Sequence, residues 1–279
     1  MNLPETLVSA VKQRRAILFA GAGLSCHLGL PSFDALKAHI GERLNLPNWS
    51  AFEFPALAEY YLLKEQNRDE LLSWIQQTWH PRKSDILASE PHRCIVELDF
   101  PVIYTTNYDS LLECAFAEAR KPFSKVVGVQ DLAEATPGHT EIIKFHGDFS
   151  DPNTIVLTES SFLRRMSLDG PLDIRLRADS VARPLLFVGY SVSDPNIRYL
   201  LFKLGQLWEQ HAEITKRPNS YVLMVEENEV QQRILLDRGV EPILALEEDA
   251  STGLTRFFQA LLQAVKPEPV SVAMRLSAP

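Results

Sequence analysis

"AILFAGAGLSCHLGLPSF" runs from Ala16 to Phe33. An unbroken apolar run leads into Gly-Ala-Gly, then Ser25, then a third glycine, Gly29, followed by Leu-Pro. A short, wholly apolar run is the pattern of a parallel strand buried on both faces. Glycines at its end let the backbone come close to a neighbour. Successive N–H groups in such a turn, opening into a helix, form a nest for an anion, most often a phosphate.

Runs of the same kind recur at 101–105 (PVIYT), 141–145 (EIIKF), 184–189 (PLLFVG), 221–225 (YVLMV) and 240–245 (VEPILA). Helical patterns separate several of them, at 109–119, 195–212, 227–238 and 252–265. Strand–helix alternation predicts an α/β fold: a doubly wound parallel sheet of about six strands with helices on both faces. Residues 34–93 interrupt the alternation and read as a helical insertion over the carboxyl edge of the sheet. Residues 151–180 read as a smaller mixed insertion, helical over 159–180. One domain is expected over 1–265, with a loosely packed tail at 266–279.

Composition narrows the classes. The chain has 279 residues, 46% hydrophobic and 23% charged, and a formal charge of −8. That balance argues against broad electrostatic binding of nucleic acid. No apolar run reaches the roughly 18 residues of a membrane helix. Lys12, Arg14 and Arg15 before an apolar stretch imitate a signal peptide. However, Leu3, Leu7, Val8 and Val11 already lie on one face of a helix over 3–13, with Asn2 and Glu5 as a loose capping pair. Three scattered cysteines, Cys26, Cys94 and Cys114, suit a reducing cytoplasm, and a cytoplasmic location is expected.

The glycine loop matches known phosphate motifs only in part. The third position of G-x-G-x-x-G holds Cys26, and the acidic residue expected roughly 20 positions on would be Glu42, inside a helical region. The P-loop pattern fails, because Cys26 and His27 fill the Gly-Lys places. "LLFVGYSVSD" imitates a nucleophile elbow, but Ser193 stands at its final glycine position, and the later His211 falls within a helical pattern.

Other strand ends carry more information. "YTTNYDSLLE" (104–113), "IKFHGDF" (143–149) and "FVGYSVSDPNI" (187–197) each follow a predicted strand. In an open parallel sheet all carboxyl ends share one edge, so these loops meet the glycine loop. Convergence there assembles Asn107, Asp109, Asp194, His146, Thr106 and Ser191. Each has a plainer reading. Asn107 or Asp109 serves equally as a helix N-cap, His146 as a turn residue, and Ser191 and Asp194 as caps for a helix opening at Pro195.

As a set, G-A-G-x-S at 21–25, G-x-P-x-F at 29–33, T-x-N-x-D at 105–109, H-G at 146–147 and G-x-S at 189–191 resemble the sirtuin family. The order and spacing hold across 16–245. "GYSVSDPNI" is similar to a divergent bacterial branch, several members of which are NAD-consuming antiviral effectors. The resemblance implies a six-stranded Rossmann-like sheet that binds NAD⁺. It implies the pyrophosphate on Gly21, Ala22, Gly23 and Ser25, with Phe33 closing the G-x-P-x-F loop. Gly189 and Ser191 would face the adenosine, Asn107 and Asp109 the nicotinamide ribose, and His146 would be the general base.

The departures are specific. Sirtuin deacylases carry two CxxC zinc pairs after the H-G motif, whereas no cysteine follows Cys114 here, so no metal is expected. "IVLTESSF" occupies the region of the F-G-E segment that holds acyl-lysine peptides. Ser32 and Asp34 stand where deacylases usually have Asp and Arg. The expected activity is therefore an NAD⁺ glycohydrolase releasing nicotinamide and ADP-ribose. His146, at an ordinary imidazole pKa of about 6.5, would take a proton. The alternatives are an NAD-dependent deacylase or ADP-ribosyltransferase, and a non-catalytic NAD or ADP-ribose sensor. A homo-oligomer or a separate regulatory protein is the expected partner, bound in part by the aromatic 34–93 segment.

Overall fold

The computed structural model describes residues 1–26, 28–30, 33–78, 83–167, 169–190, 195–209 and 218–266. Seven strands form one parallel sheet: β1 Ile17–Ala20, β2 Val102–Thr105, β3 Phe123–Val126, β4 Thr140–Lys144, β5 Leu185–Val188, β6 Ser220–Met224 and β7 Val240–Leu244. Their spatial order is β3-β4-β2-β1-β5-β6-β7. The six expected strands are present. The seventh, β3, was not anticipated. Among the described residues it is an edge strand pairing only with β4, and Ser124 and Lys125 stay partly exposed while Val126 is buried, so it carries no continuous apolar run.

The period of two along each strand builds two cores. Leu18, Ala20, Ile103, Leu186, Val188 and Leu223 face one layer, which contains the helices Glu5–Lys12, Glu90–Leu98, Leu111–Glu118 and Ala250–Val265. Ile17, Phe19, Tyr104, Phe187 and Val222 face the other, where Pro171–Ala182 and Pro195–Glu209 supply Leu176, Leu200, Leu201 and Leu204. Strands covered on both faces have no room for polar alternation, which is why their sequences read as apolar blocks. The first helix starts from Pro4 without a side-chain cap, so the expected Asn2–Glu5 capping pair is not formed.

A third core lies off the sheet. Helices Phe33–Arg43, Phe54–Glu65 and Arg68–Thr78 enclose Leu36, Ile40, Phe54, Leu57, Tyr61 and Ile75. Tyr108, after β2, and Ile155 and Leu157, after β4, belong to the same cluster. The helical module therefore sits on the loops at the carboxyl edge. Trp49 packs on Gly41, and His39 stacks on Trp74 at 3.6 Å between ring centroids. Phe52 and Tyr60 remain exposed. Among the described residues no helix is long and apolar enough to cross a membrane.

Candidate active site

β1 is the turning point of the topology. The chain leaves it toward β2, adds β3 and β4 on that side, and then crosses to β5 on the other. Loops after β1, β2, β4 and β5 consequently gather at one place on the carboxyl edge, the position where open α/β sheets bind ligands. An aromatic floor lies beneath them. Phe19 is 5.7 Å from Tyr104, 5.1 Å from Phe187, 5.7 Å from Phe145 and 5.6 Å from Tyr190 between ring centroids.

The glycines first serve each other. Gly21 N donates to Val188 O at 2.9 Å and Gly23 N to Gly189 O at 2.8 Å, so the β1 and β5 loops are laced backbone to backbone. Gly189 has φ +70°, and a Cβ there would lie 2.6 Å from Leu24 N. A Cβ on Gly21 would lie 2.7 Å from Gly189 O. Leu24 N and Ser25 N are also engaged, with Gly21 O and Ala22 O. Thr106 joins the same junction. Tyr190 OH donates to Ala20 O at 3.0 Å, so its oxygen accepts from Thr106 Oγ1 at 2.9 Å.

Asn107 is held in one orientation. Its Nδ2 donates to Gly21 O at 3.1 Å and to Ser25 Oγ at 3.0 Å. Ser25 Oγ in turn donates to Asp109 Oδ2 at 2.9 Å. Asp109 Oδ1 accepts from Leu111 N at 3.1 Å, so this carboxylate also caps the first turn of the helix Leu111–Glu118. A carboxylate and a carbonyl only accept, so the hydroxyl proton of Ser25 is spent on Asp109 and both amide protons of Asn107 are spent inward. The amide atom left for a ligand is Oδ1, an acceptor.

His146 follows β4 and is half-buried. Phe162, from the helix Glu159–Met166, presents its ring edge-on at 5.4 Å and 89°. Arg165 of the same helix lies 4.0 Å over the neighbouring Phe145 ring. Burial, then the Arg165 charge, push the imidazole down to a pKa of about 3. The ordinary imidazole value expected from sequence is therefore replaced by a neutral ring. The N-terminus of that helix is tied to the helical module, because Glu59 accepts from Ser160 N at 2.9 Å and from Ser160 Oγ at 3.1 Å.

Ser191 and Asp194 lie outside the described residues, as do Ser32 and the tail from 267. Phe33 opens a helix, but its side chain is outside the described set. Among the described residues, no group of three or more His, Cys, Asp or Glu is placed to hold a metal ion. Sequence reading passed over Lys144, Tyr190, Phe162 and Arg165. Lys144 carried a signal, namely a cation inside a run expected to be buried on both faces.

A family model described as "SIR2-like domain" matches residues 101–243, from β2 through most of β7. "NAD(+) hydrolase ThsA" of Bacillus cereus (strain MSX-D12) is 30% identical over 201 residues, 72% of this chain and 42% of that protein. "Defense-associated sirtuin 2" of Bacillus subtilis is 28% identical over 208 residues, 70% of this chain and 20% of that protein. The chain thus spans less than half the length of these relatives. A crystal structure of a SIR2 homolog–NAD complex is 13% identical, with a TM-score of 0.49 over 95% of this chain and 96% of that one.

Proposed function

This chain belongs to the SIR2-like domain family, and from that premise we propose that it hydrolyses NAD⁺ at the nicotinamide–ribose bond. The observation that carries the reading is the fixed amide of Asn107, whose two N–H bonds point inward and leave Oδ1 as an acceptor beside the glycine loop. The name of the Bacillus cereus relative supports the same substrate and reaction class.

The pyridinium of NAD⁺ already makes nicotinamide a good leaving group. As the C1′–N bond breaks, its electron pair neutralises the ring and oxocarbenium character builds on the ribose. Asn107 Oδ1 accepts a hydrogen bond from the attacking water or from a ribose hydroxyl and so aims it. The water oxygen bonds to C1′, and its proton passes by way of the neutral His146 ring to solvent. The products are nicotinamide, ADP-ribose and a proton. Gly21, Ala22, Gly23 and Ser25 form the floor against which the pyrophosphate lies, with Thr106 beside it and Gly189 toward the adenosine. Phe33, Ser191 and Asp194 complete this assignment.

An uncontrolled hydrolase of this kind would drain its own cell. We therefore assign it a gated role in defence, in keeping with the name of the Bacillus subtilis relative. The gate is assembly with another copy or a regulatory protein through the helical module, where Phe52 and Tyr60 are exposed. The experiment is nicotinamide release from NAD⁺, with and without an acetylated peptide and across protein concentration. Peptide-independent release is expected, with a rate per chain that rises with protein concentration. Release only with peptide returns the deacylase reading, and binding without release returns the sensor.

A further inference from the structure

Lys144 ends β4 with its side chain wholly buried, two residues before His146. Its Nζ donates to the main-chain oxygen of Asp109. The same ammonium lies 3.3 Å from Glu113 Oε1 and 3.6 Å from Asp148 Oδ2. Lys144 is the counter-charge of this buried carboxylate. Burial raises the Glu113 carboxyl, and Lys144 opposes that rise. Asp148 is anchored further by Lys125 Nζ at 3.0 Å and Ser150 N at 2.8 Å.

A buried ammonium costs free energy unless its geometry is well satisfied, so an apolar side chain would suit a plain core position better. What this ammonium does is join two loops. Asp109 lies two residues from Asn107, and Asp148 lies two residues from His146. Among the described residues no hydrogen bond joins Asn107 to His146 directly, and Lys144 is a polar strut between the loops that carry them.

We propose that Lys144 is a positioning residue that sets the Asn107 loop against the His146 turn. This rests on the reading of those two residues as the hydrolytic pair. Displacing one by about 1 Å is enough to cost on the order of 100-fold in rate.

Removing Lys144 alone strands Glu113, so the test compares E113Q with K144M/E113Q, which removes the cation and the counter-charge together. E113Q keeps the Lys144–Asp109 bond and should keep kcat for nicotinamide release within about 3-fold of the wild type. K144M/E113Q should lose kcat by about 10- to 100-fold with KM for NAD⁺ little changed. Deuterium uptake over 104–110 should rise at least about twofold while β6 and β7 stay protected. K144Q/E113Q restores a donor toward the Asp109 carbonyl and should recover part of the loss. It also carries the comparison if the methionine variant does not fold. Kcat and uptake in K144M/E113Q or K144Q/E113Q equal to those of E113Q would overturn the proposal. If the wild type releases no nicotinamide, the hydrolase reading fails, and the uptake arm alone then decides the role of Lys144.

Discussion

Ser25 Oγ donates to Asp109 Oδ2 at 2.9 Å, and this bond decides which way the Asn107 amide faces. With its proton committed to Asp109, the Ser25 oxygen only accepts. Asn107 must then turn Nδ2 toward it and expose Oδ1. Ser25→Ala removes the arbiter and leaves a buried carboxylate oxygen without its donor. Stability should fall by about 1–3 kcal/mol, and turnover should fall about 10-fold or more as the amide loses its single orientation. Urea unfolding alongside steady-state kinetics checks both. A fully active Ser25→Ala protein would show that the orientation does not matter.

Asn107→Asp is nearly isosteric and tests the same chain from its other end. A carboxylate there would oppose Gly21 O and compete with Asp109 for one hydroxyl proton. Like charges this close disfavour ionisation of both groups. Nicotinamide release should collapse by about 100-fold or more, with lowered thermal stability but an intact far-UV spectrum. Retention of wild-type turnover would remove Asn107 from the mechanism.

His146 predicts a pH profile that an ordinary imidazole would not give. Its pKa is pushed down to about 3 by burial and Arg165. The free-enzyme limb of kcat/KM should therefore show no inflection near pH 6.5, and the rate should be level from about pH 5.5 to 8. The folded state binds this proton less readily than the unfolded chain, so the contribution is complete above about pH 6.5 and is lost as pH falls toward about 3. His146→Ala should lower turnover by about 10²–10⁴-fold and flatten the fall in melting temperature between pH 6 and 4. An inflection at 6.5 in the wild type would contradict the half-buried, cation-flanked ring.

Much of this site was legible because buried parallel strands announce themselves. Once β1, β2, β4 and β5 were recognisable as apolar blocks, the topology alone brought Gly21, Asn107, His146 and Gly189 to one edge. Edge strand β3 escaped because solvent on one side admits Ser124 and Lys125 into a strand. The acid–base state of His146 escaped for another reason. Its neighbours Phe162 and Arg165 come from a separate helix, anchored by Glu59 some hundred residues earlier, and one sequence does not print such contacts. The glycine loop shows a third limit. Its glycines were read for a ligand, yet the lacing of Gly21 and Gly23 to Gly189 requires them whether or not a ligand is bound.

That lacing gives the last prediction, which separates the cost of a backbone conformation from the cost of a crowded one. Gly29 and Gly189 both have positive φ, +75° and +70°. Around Gly29 no described residue lies within 4 Å of an added Cβ, whereas at Gly189 the methyl would meet Leu24 N at 2.6 Å and Gly21 O at 2.8 Å. Gly29→Ala should therefore cost only the left-handed penalty, about 1–2 kcal/mol. Gly189→Ala carries that penalty and must also push the β1 and β5 loops apart. Its total should exceed the Gly29 value by about 1–3 kcal/mol, the range of overpacking in a close-packed site. Parting the loops also breaks the Gly23 N to Gly189 O bond, so turnover should fall in Gly189→Ala. Thermal and chemical unfolding of the two variants side by side measures the difference. Equal destabilisation would mean that the two loops are not in the contact described.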